Sequence, residues 1–423
     1  MGRTLGSKAT VMASLSAGAG VLICPDTLVR LGQFTGYTGL WGLVLLVLTM
    51  VLFFYLVPEI GASAMRPATA WTYLPMTVRM VAAVVLSTGV LVSSGFVFNE
   101  IFLYWFPNFG FAFFLLSLIL AANMMSVETG LKCQMGSTGI CLGSLFILVV
   151  AGLAGAGDGH GAFDHTLFPS PFVPLPVLFF PLLLWVGVDI AGIVMAGMTG
   201  TGRKKKSHTG QVRNLIGLTI LCGGLIFLVW AVVSAFHVPP EKLAGSGIPH
   251  LKAARGILGD TGRYLMGTVV IFGTLAGVNA LFLACRLSAA SLVRDGYLPA
   301  VAGNSRAIAI LLAAAVGLMM GFGMAGSEKL EYWIEAVFVL WLMTYTGIFT
   351  GIFTCIFSGA DHPGHLPPFI RTLVTIGGVL LLFYGEGRLL KWGYVFVILG
   401  MAFLQQIIFS PGGISAARGR HRT

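Results

Sequence analysis

Apolar runs of membrane-spanning length alternate with short polar links along the whole chain. They fall at 9–34, 40–65, 76–98, 109–126, 133–156 and 176–198, then at 212–236, 264–292, 308–324, 333–357, 369–384 and 392–409. A helix of about 20 residues crosses a hydrocarbon core of roughly 30 Å. The pattern therefore predicts an all-α integral membrane protein of about 12 transmembrane helices. The first run is longer than a signal-peptide core and is followed by no small-residue cleavage site, so it is expected to remain as a span.

Composition changes the picture only by removing aqueous alternatives. Of 423 residues, 57% are hydrophobic and 9% charged, whereas a soluble domain carries roughly 25% charged residues. The mean hydropathy is +0.92. Too few polar groups are present to coat a water-facing surface, and a lipid bilayer is the expected surround. The formal charge of +10 would suggest nucleic acid in a soluble protein. Here the run Arg203-Lys204-Lys205-Lys206 follows a hydrophobic span and reads as a topology determinant against anionic lipid, so no nucleic acid partner is expected. With the N-terminus in the cytoplasm and an even span count, 17 of the 25 Lys and Arg fall on the cytoplasmic side. Both termini and the 203–208 loop are expected there, in a cell inner (plasma) membrane. The six cysteines lie in spans or at a cytoplasmic edge and imply no disulfide framework.

Clustered glycine near the middle of a span suggests an unwound segment whose backbone a ligand can reach. The first run holds Ala17-Gly18-Ala19-Gly20, about ten residues or roughly 15 Å from its start. The sixth holds Leu183 and Trp185-Val186-Gly187-Val188-Asp189, with Gly187 roughly 16 Å from the opposite face. Two spans that enter from opposite faces and break at one depth are what an inverted repeat predicts. A broken helix leaves N–H groups that attract carboxylate and C=O groups that attract ammonium, and a zwitterionic amino acid satisfies both. Gly18, Ala19, Gly20, Val21, Leu183, Trp185 and Gly187 are thus the candidate substrate-binding residues. Close helix packing is the alternative role for Gly18 and Gly20.

Four motifs stand in order on these spans. Gly18 to Pro25 reads G-x-G, a hydrophobic stretch and proline; Tyr55 to Gly61 ends the second span with an acid before a hydrophobic residue and glycine. Leu184 to Asp189 reads aromatic-x-Gly-x-acid, and Arg286 to Pro299 reads R-x7-R-D-G-x-L-P. Together they resemble the amino acid, polyamine and organocation superfamily of transporters, of the amino acid permease type. The resemblance implies a LeuT-type fold: a first five-helix repeat (9–156), an inverted second repeat (176–357) and two additional C-terminal helices (369–409). It also implies secondary active transport of a small amino acid or related amine, by proton-coupled symport or exchange or with Na⁺, and a substrate-lining aromatic at Trp185. Members that use a mid-membrane lysine in the fifth span find no counterpart: Lys132 lies at the start of that span, and 141–155 holds no ionisable side chain besides Cys141. No cofactor is expected beyond a coupling ion.

Ionisable residues at membrane depth are costly and are functional candidates. Asp189 is expected to supply the coupling or gating charge, as the carboxylate assigned to mid-membrane depth, and Trp185 beside it is a candidate gating aromatic whose alternative role is packing. Glu59, near the cytoplasmic interface, reads as a gate or packing acid. Glu328, Glu331 and Glu335 share one helical face, which suits either an outer vestibule or a solvated surface. Ser94 and Asn279 are expected polar lining residues, among hydroxyls that also bond their own helices. The 158–165 loop carries Asp158, His160, Asp164 and His165, yet nothing fixes them to one centre; a polar outer loop is expected rather than a metal site.

A membrane enzyme is the first competing class, but no H-E-x-x-H, G-x-S-x-G or G-x-x-x-x-G-K constellation occurs. A non-transporting amino acid sensor is the second, and it would be expected to carry a cytoplasmic signalling domain that the short tails and inner loops do not provide. The spacing gives no oligomeric state.

Overall fold

The computed structural model describes residues 7–63, 70–103, 105–155, 173, 175–199, 205–294, 296–324, 328–346, 368–383 and 387–409. Every apolar run holds a helix among these residues, and no strand occurs among them. The first run is split into α1 (Ser7–Leu22) and α2 (Pro25–Thr38), followed by α3 (Trp41–Ser63), α4 (Ala70–Ile101), α5 (Asn108–Met125) and α6 (Val127–Leu153). The sixth run is split too, into α7 (Phe180–Leu183) and α8 (Ile190–Thr199). Then come α9 (Lys205–His237), the short α10 (Pro240–Ala244), α11 (Pro249–Arg294), α12 (Ser305–Met319), α13 (Glu328–Thr346), α14 (Pro368–Phe383) and α15 (Arg388–Phe409). The face from which α1 starts is termed inner below.

Proline sets several of these boundaries. Pro25, Pro240, Pro249 and Pro368 each open a helix, where the first N–H has no intrahelical acceptor and its loss costs nothing. α11 would run for roughly 69 Å at 1.5 Å per residue, over twice a hydrocarbon core. It bends instead at Leu258 and Gly259, whose φ of 59° is left-handed. The segment before the bend therefore lies outside the membrane-spanning part.

α1 sits at the centre, against α6, α8, α9 and α11. Small residues let it in: a Cβ on Gly18 would stand 2.7 Å from Thr219 and 2.9 Å from Ala191, and one on Gly20 would stand 2.9 Å from Ala276. Without a hydrophobic drive between helices in lipid, such close approach is what holds spans together. The outside is apolar, with Phe146, Leu153, Leu225, Leu311 and Phe396 exposed, as a lipid-facing surface requires.

Across the outer end of α2 lies a plug made of α10 and the start of α11. Gly36 lets the backbone of α10 approach: a Cβ there would be 2.3 Å from Ala244 N. Gly32 meets Pro249 in the same way, and Gln33 Nε2 donates to the Ser246 carbonyl at 3.1 Å.

Candidate functional site

The first span breaks at Ile23 and Cys24, with a bend of 52° between α1 and α2. This corrects the expected break at Gly18 to Gly20, which lie inside α1 and serve close packing. The cause is Pro25. It has no N–H to offer the carbonyl of Val21, and it forces the preceding residue to be extended; Cys24 accordingly has ψ of 158°. Cys24 then caps α2, its carbonyl accepting from Thr27 N and Leu28 N at 3.1 and 3.2 Å.

The sixth span breaks where expected. Residues 184–189 form turns between α7 and α8, and Gly187 has φ of 88°, a conformation that glycine adopts without penalty. A Cβ on Gly187 would lie 2.4 Å from Val21 Cγ1. The two broken spans thus touch at Val21 and Gly187, and only glycine at 187 permits it. Gly187 N donates to the Tyr345 hydroxyl at 3.0 Å.

Asp189 ends this break, immediately before α8, and is fully buried. Arg79 Nη1 of α4 lies 2.9 Å from its Oδ2 as an ion pair. Its Oδ1 accepts from Trp341 Nε1 at 3.2 Å and from the Tyr345 hydroxyl. Arg79 in turn donates to Thr344 Oγ1 at 3.0 Å and lies 5.5 Å over the Tyr345 ring. One buried knot therefore joins α4, α13 and the start of α8. Beside it a narrow, water-sized cleft is lined by Arg79, Ala83, Ile193, Leu281, Ser288 and Trp341.

The other expected residues fall in several places. Trp185 packs between Phe53 of α3 and Phe227 of α9, at 6.0 and 5.7 Å, with its indole N–H on Thr49 Oγ1 at 3.2 Å. Leu183 is buried beside it in the chain, and Ala19 is half-buried. Asn279 centres a polar chain: it donates to Gly130 O and Gln134 Oε1, both at 2.9 Å, and accepts from Asn123 at 2.7 Å. Gln134 carries the chain on to the Ser16 carbonyl at 3.0 Å. Ser94 is fully buried with an unpartnered hydroxyl. Glu335, with a partly exposed side chain, is paired with the buried Lys391 of α15, while the side chains of Glu328 and Glu331 lie outside the described residues. Glu59 lies in α3 with its side chain outside the described residues, and the 158–165 loop lies wholly outside them. Among the described residues no group of His, Cys, Asp or Glu could hold a metal ion.

Asp26 escapes the sequence reading, in which Asp189 alone is assigned to this depth. It stands in the first turn of α2, and Ser93 of α4 donates to its Oδ1 at 3.0 Å. The signal is legible as an acid directly after the helix-opening proline, in Cys24-Pro25-Asp26.

Comparison with known proteins bears on the family and the fold. A family model described as "Amino acid permease" matches residues 5–385. The chain is also similar to the solved structure of Mhp1, a nucleobase-cation-symport-1 family transporter, in a closed conformation with bromovinylhydantoin bound. That match has a TM-score of 0.57 at 11% identity and covers 95% of this chain and 93% of the other. At this identity the likeness is one of fold, and it shows the LeuT-type architecture. A search of curated proteins finds no match.

Proposed function

We propose that this chain, which belongs to the amino acid permease family, carries a small amino acid or related amine across a cytoplasmic membrane by alternating access. The observation that carries this reading is the contact of the two broken spans at Val21 and Gly187. Backbone polar groups freed from helical pairing are tolerated in a membrane only where protein or a polar ligand satisfies them. Two such breaks set against each other offer a small solute both donors and acceptors at one place.

On this reading the outer path is closed by the α10 plug over α2, and the inner path is gated by the Asp189–Arg79 pair beside its cleft. Coupling to H⁺ or Na⁺ supplies the drive. Both termini lie in the cytoplasm.

Uptake into proteoliposomes tests the proposal, with radiolabelled L-alanine, L-serine and ethylamine as probes under an imposed H⁺ or Na⁺ gradient. Accumulation above the equilibrium level, lost when one of the gradients is collapsed, is expected for at least one probe. Saturable binding with no flux would instead make the protein a non-transporting sensor.

A further inference from the structure

We infer that Gln134 and Thr138 of α6 form a latch on the inner half of the first span, and that its release opens the inner path. The inference rests on the transport reading and names the bonds that hold one of its two faces shut.

α1 runs from the inner face to the break, so it walls the inner path beneath the contact of Val21 with Gly187. The bend of 52° separates its course from that of α2, and α1 can tilt without carrying α2 and the plug with it. With no hydrophobic drive between helices in lipid, close packing and polar bonds are what resist such a tilt.

Two polar bonds meet α1 at one atom. The Ser16 carbonyl accepts from Gln134 Nε2 and from Thr138 Oγ1, both at 3.0 Å. Gln134 also donates to Thr138 Oγ1 at 3.2 Å, so the threonine hydroxyl keeps its own hydrogen for Ser16. The two side chains stand one turn apart on α6 and therefore share a face. Room for the amide comes from Gly20, where a Cβ would lie 2.7 Å from Gln134 Nε2. Ser16 lies about 10 Å below the break by the rise of a helix, so the latch grips the body of α1 rather than its start.

The direction of these bonds is fixed from several sides. An amide donates through nitrogen and accepts through oxygen, and a half-turn of its plane would exchange them. Gln134 Oε1 accepts from Asn279 Nδ2 at 2.9 Å, which leaves Nε2 for Ser16. Asn279 is oriented by the Gly130 carbonyl, which only accepts, at 2.9 Å. Asn123 is oriented by Arg286, which only donates, to its Oδ1, and by the Ile119 carbonyl, which accepts from its Nδ2 at 2.8 Å. That same Nδ2 meets Asn279 Oδ1 at 2.7 Å. Asn279, Asn123 and Arg286 are thus positioning residues that act on α1 through the glutamine. The chain ties α5, α6 and α11 to a single carbonyl of the half-helix that must move.

Gln134→Met tests the latch, since it keeps the length of the side chain and removes its donor. In a background otherwise free of cysteine, Ala13→Cys reports the parting of α1 and Ser246→Cys reports the outer plug; both positions are buried. N-ethylmaleimide, which crosses the bilayer, labels either reporter in proteoliposomes without added solute. Loss of one buried hydrogen bond should quicken labelling of Ala13→Cys about tenfold and leave Ser246→Cys no faster. Thr138→Val replaces a hydroxyl with a methyl and should act in the same sense, which keeps the test open should the methionine variant fail to insert. Unchanged labelling of Ala13→Cys in both variants overturns the inference. So do rates that rise at both reporters, because a bond that only stabilises the fold would loosen both faces. Failed uptake of every probe would count against the transport reading alone, because the labelling needs no flux.

Discussion

Asp189→Asn removes one charge from the buried knot while keeping its shape. The asparagine can still accept from Trp341 and Tyr345, so those bonds at Oδ1 persist. What is lost is the ion pair at 2.9 Å, which leaves Arg79, 7% exposed, with Thr344 and the Tyr345 ring as its neighbours. Breaking a buried pair on one side costs about 3–5 kcal/mol, because a charge stays behind without compensation. Arg79→Gln alone should cost a similar amount for the opposite reason. The double variant removes both charges and should recover about 2 kcal/mol or more of the summed loss, since neutral groups need less desolvation. Thermal unfolding in mild detergent, followed by tryptophan emission, supplies the four corners of the cycle. Each single variant should melt several degrees below wild type, with the double variant above their additive expectation. Strict additivity would show that the two charges do not stabilise one another, and the gate assigned to them would fall.

Three further outcomes follow from separate parts of the molecule. Gly36→Val puts a side chain where a Cβ already lies 2.3 Å from Ala244 N and 2.7 Å from Pro240 O; overpacking of about 1–3 kcal/mol should unseat the plug and raise thiol labelling at Ser246→Cys about tenfold, and unchanged labelling would contradict the plug. Asn279→Leu leaves Gln134, Asn123 and Gly130 each short of a partner and should cost about 3 kcal/mol, read as a lowered melting temperature; wild-type melting would show the chain to be dispensable. His250 lies in the plug before the α11 bend with neither ring nitrogen bonded, and burial pushes its pKa from 6.5 down to about 4. Released from its buried place it binds a proton as pH falls below 6.5, and docked it does not, so about 3 kcal/mol of docking stability is present above that pH and lost down to pH 4. Labelling at Ser246→Cys should therefore quicken on acidification, and His250→Phe should remove that dependence; a flat profile in the parent would refute it.

The sixth-span break is legible in the sequence because a glycine flanked by bulky apolar residues has no other local reason to be there, and Gly187 does adopt the left-handed φ of 88°. The first break is displaced from its expected place because two causes compete in one stretch. Glycine only permits unwinding, and at Gly18 and Gly20 it serves packing against Thr219, Ala191 and Ala276; Pro25 compels unwinding and therefore decides the position. Arg79 reads along the chain as a cytoplasmic topology charge, yet it pairs with Asp189 across a separation of 110 residues, and no local pattern marks such a partner. The α10 plug is hidden in a link between apolar runs, where Pro240 and Pro249 are the legible traces of its helix starts. Trp185 has the position of a lining aromatic, but its surroundings in α3 and α9 are a matter of tertiary packing.

Reciprocal accessibility tests the central claim, a site between two breaks that opens to one face at a time. In variants otherwise free of cysteine, Ser246→Cys reports the outer plug and Ser288→Cys the inner cleft. Maleimide labelling rates of both are measured in proteoliposomes with and without a saturating probe that the uptake screen finds transported. The account predicts that the probe moves the two rates in opposite directions, one rising as the other falls. Rates that rise together, fall together or stay fixed while the probe is bound would contradict alternating access in this protein.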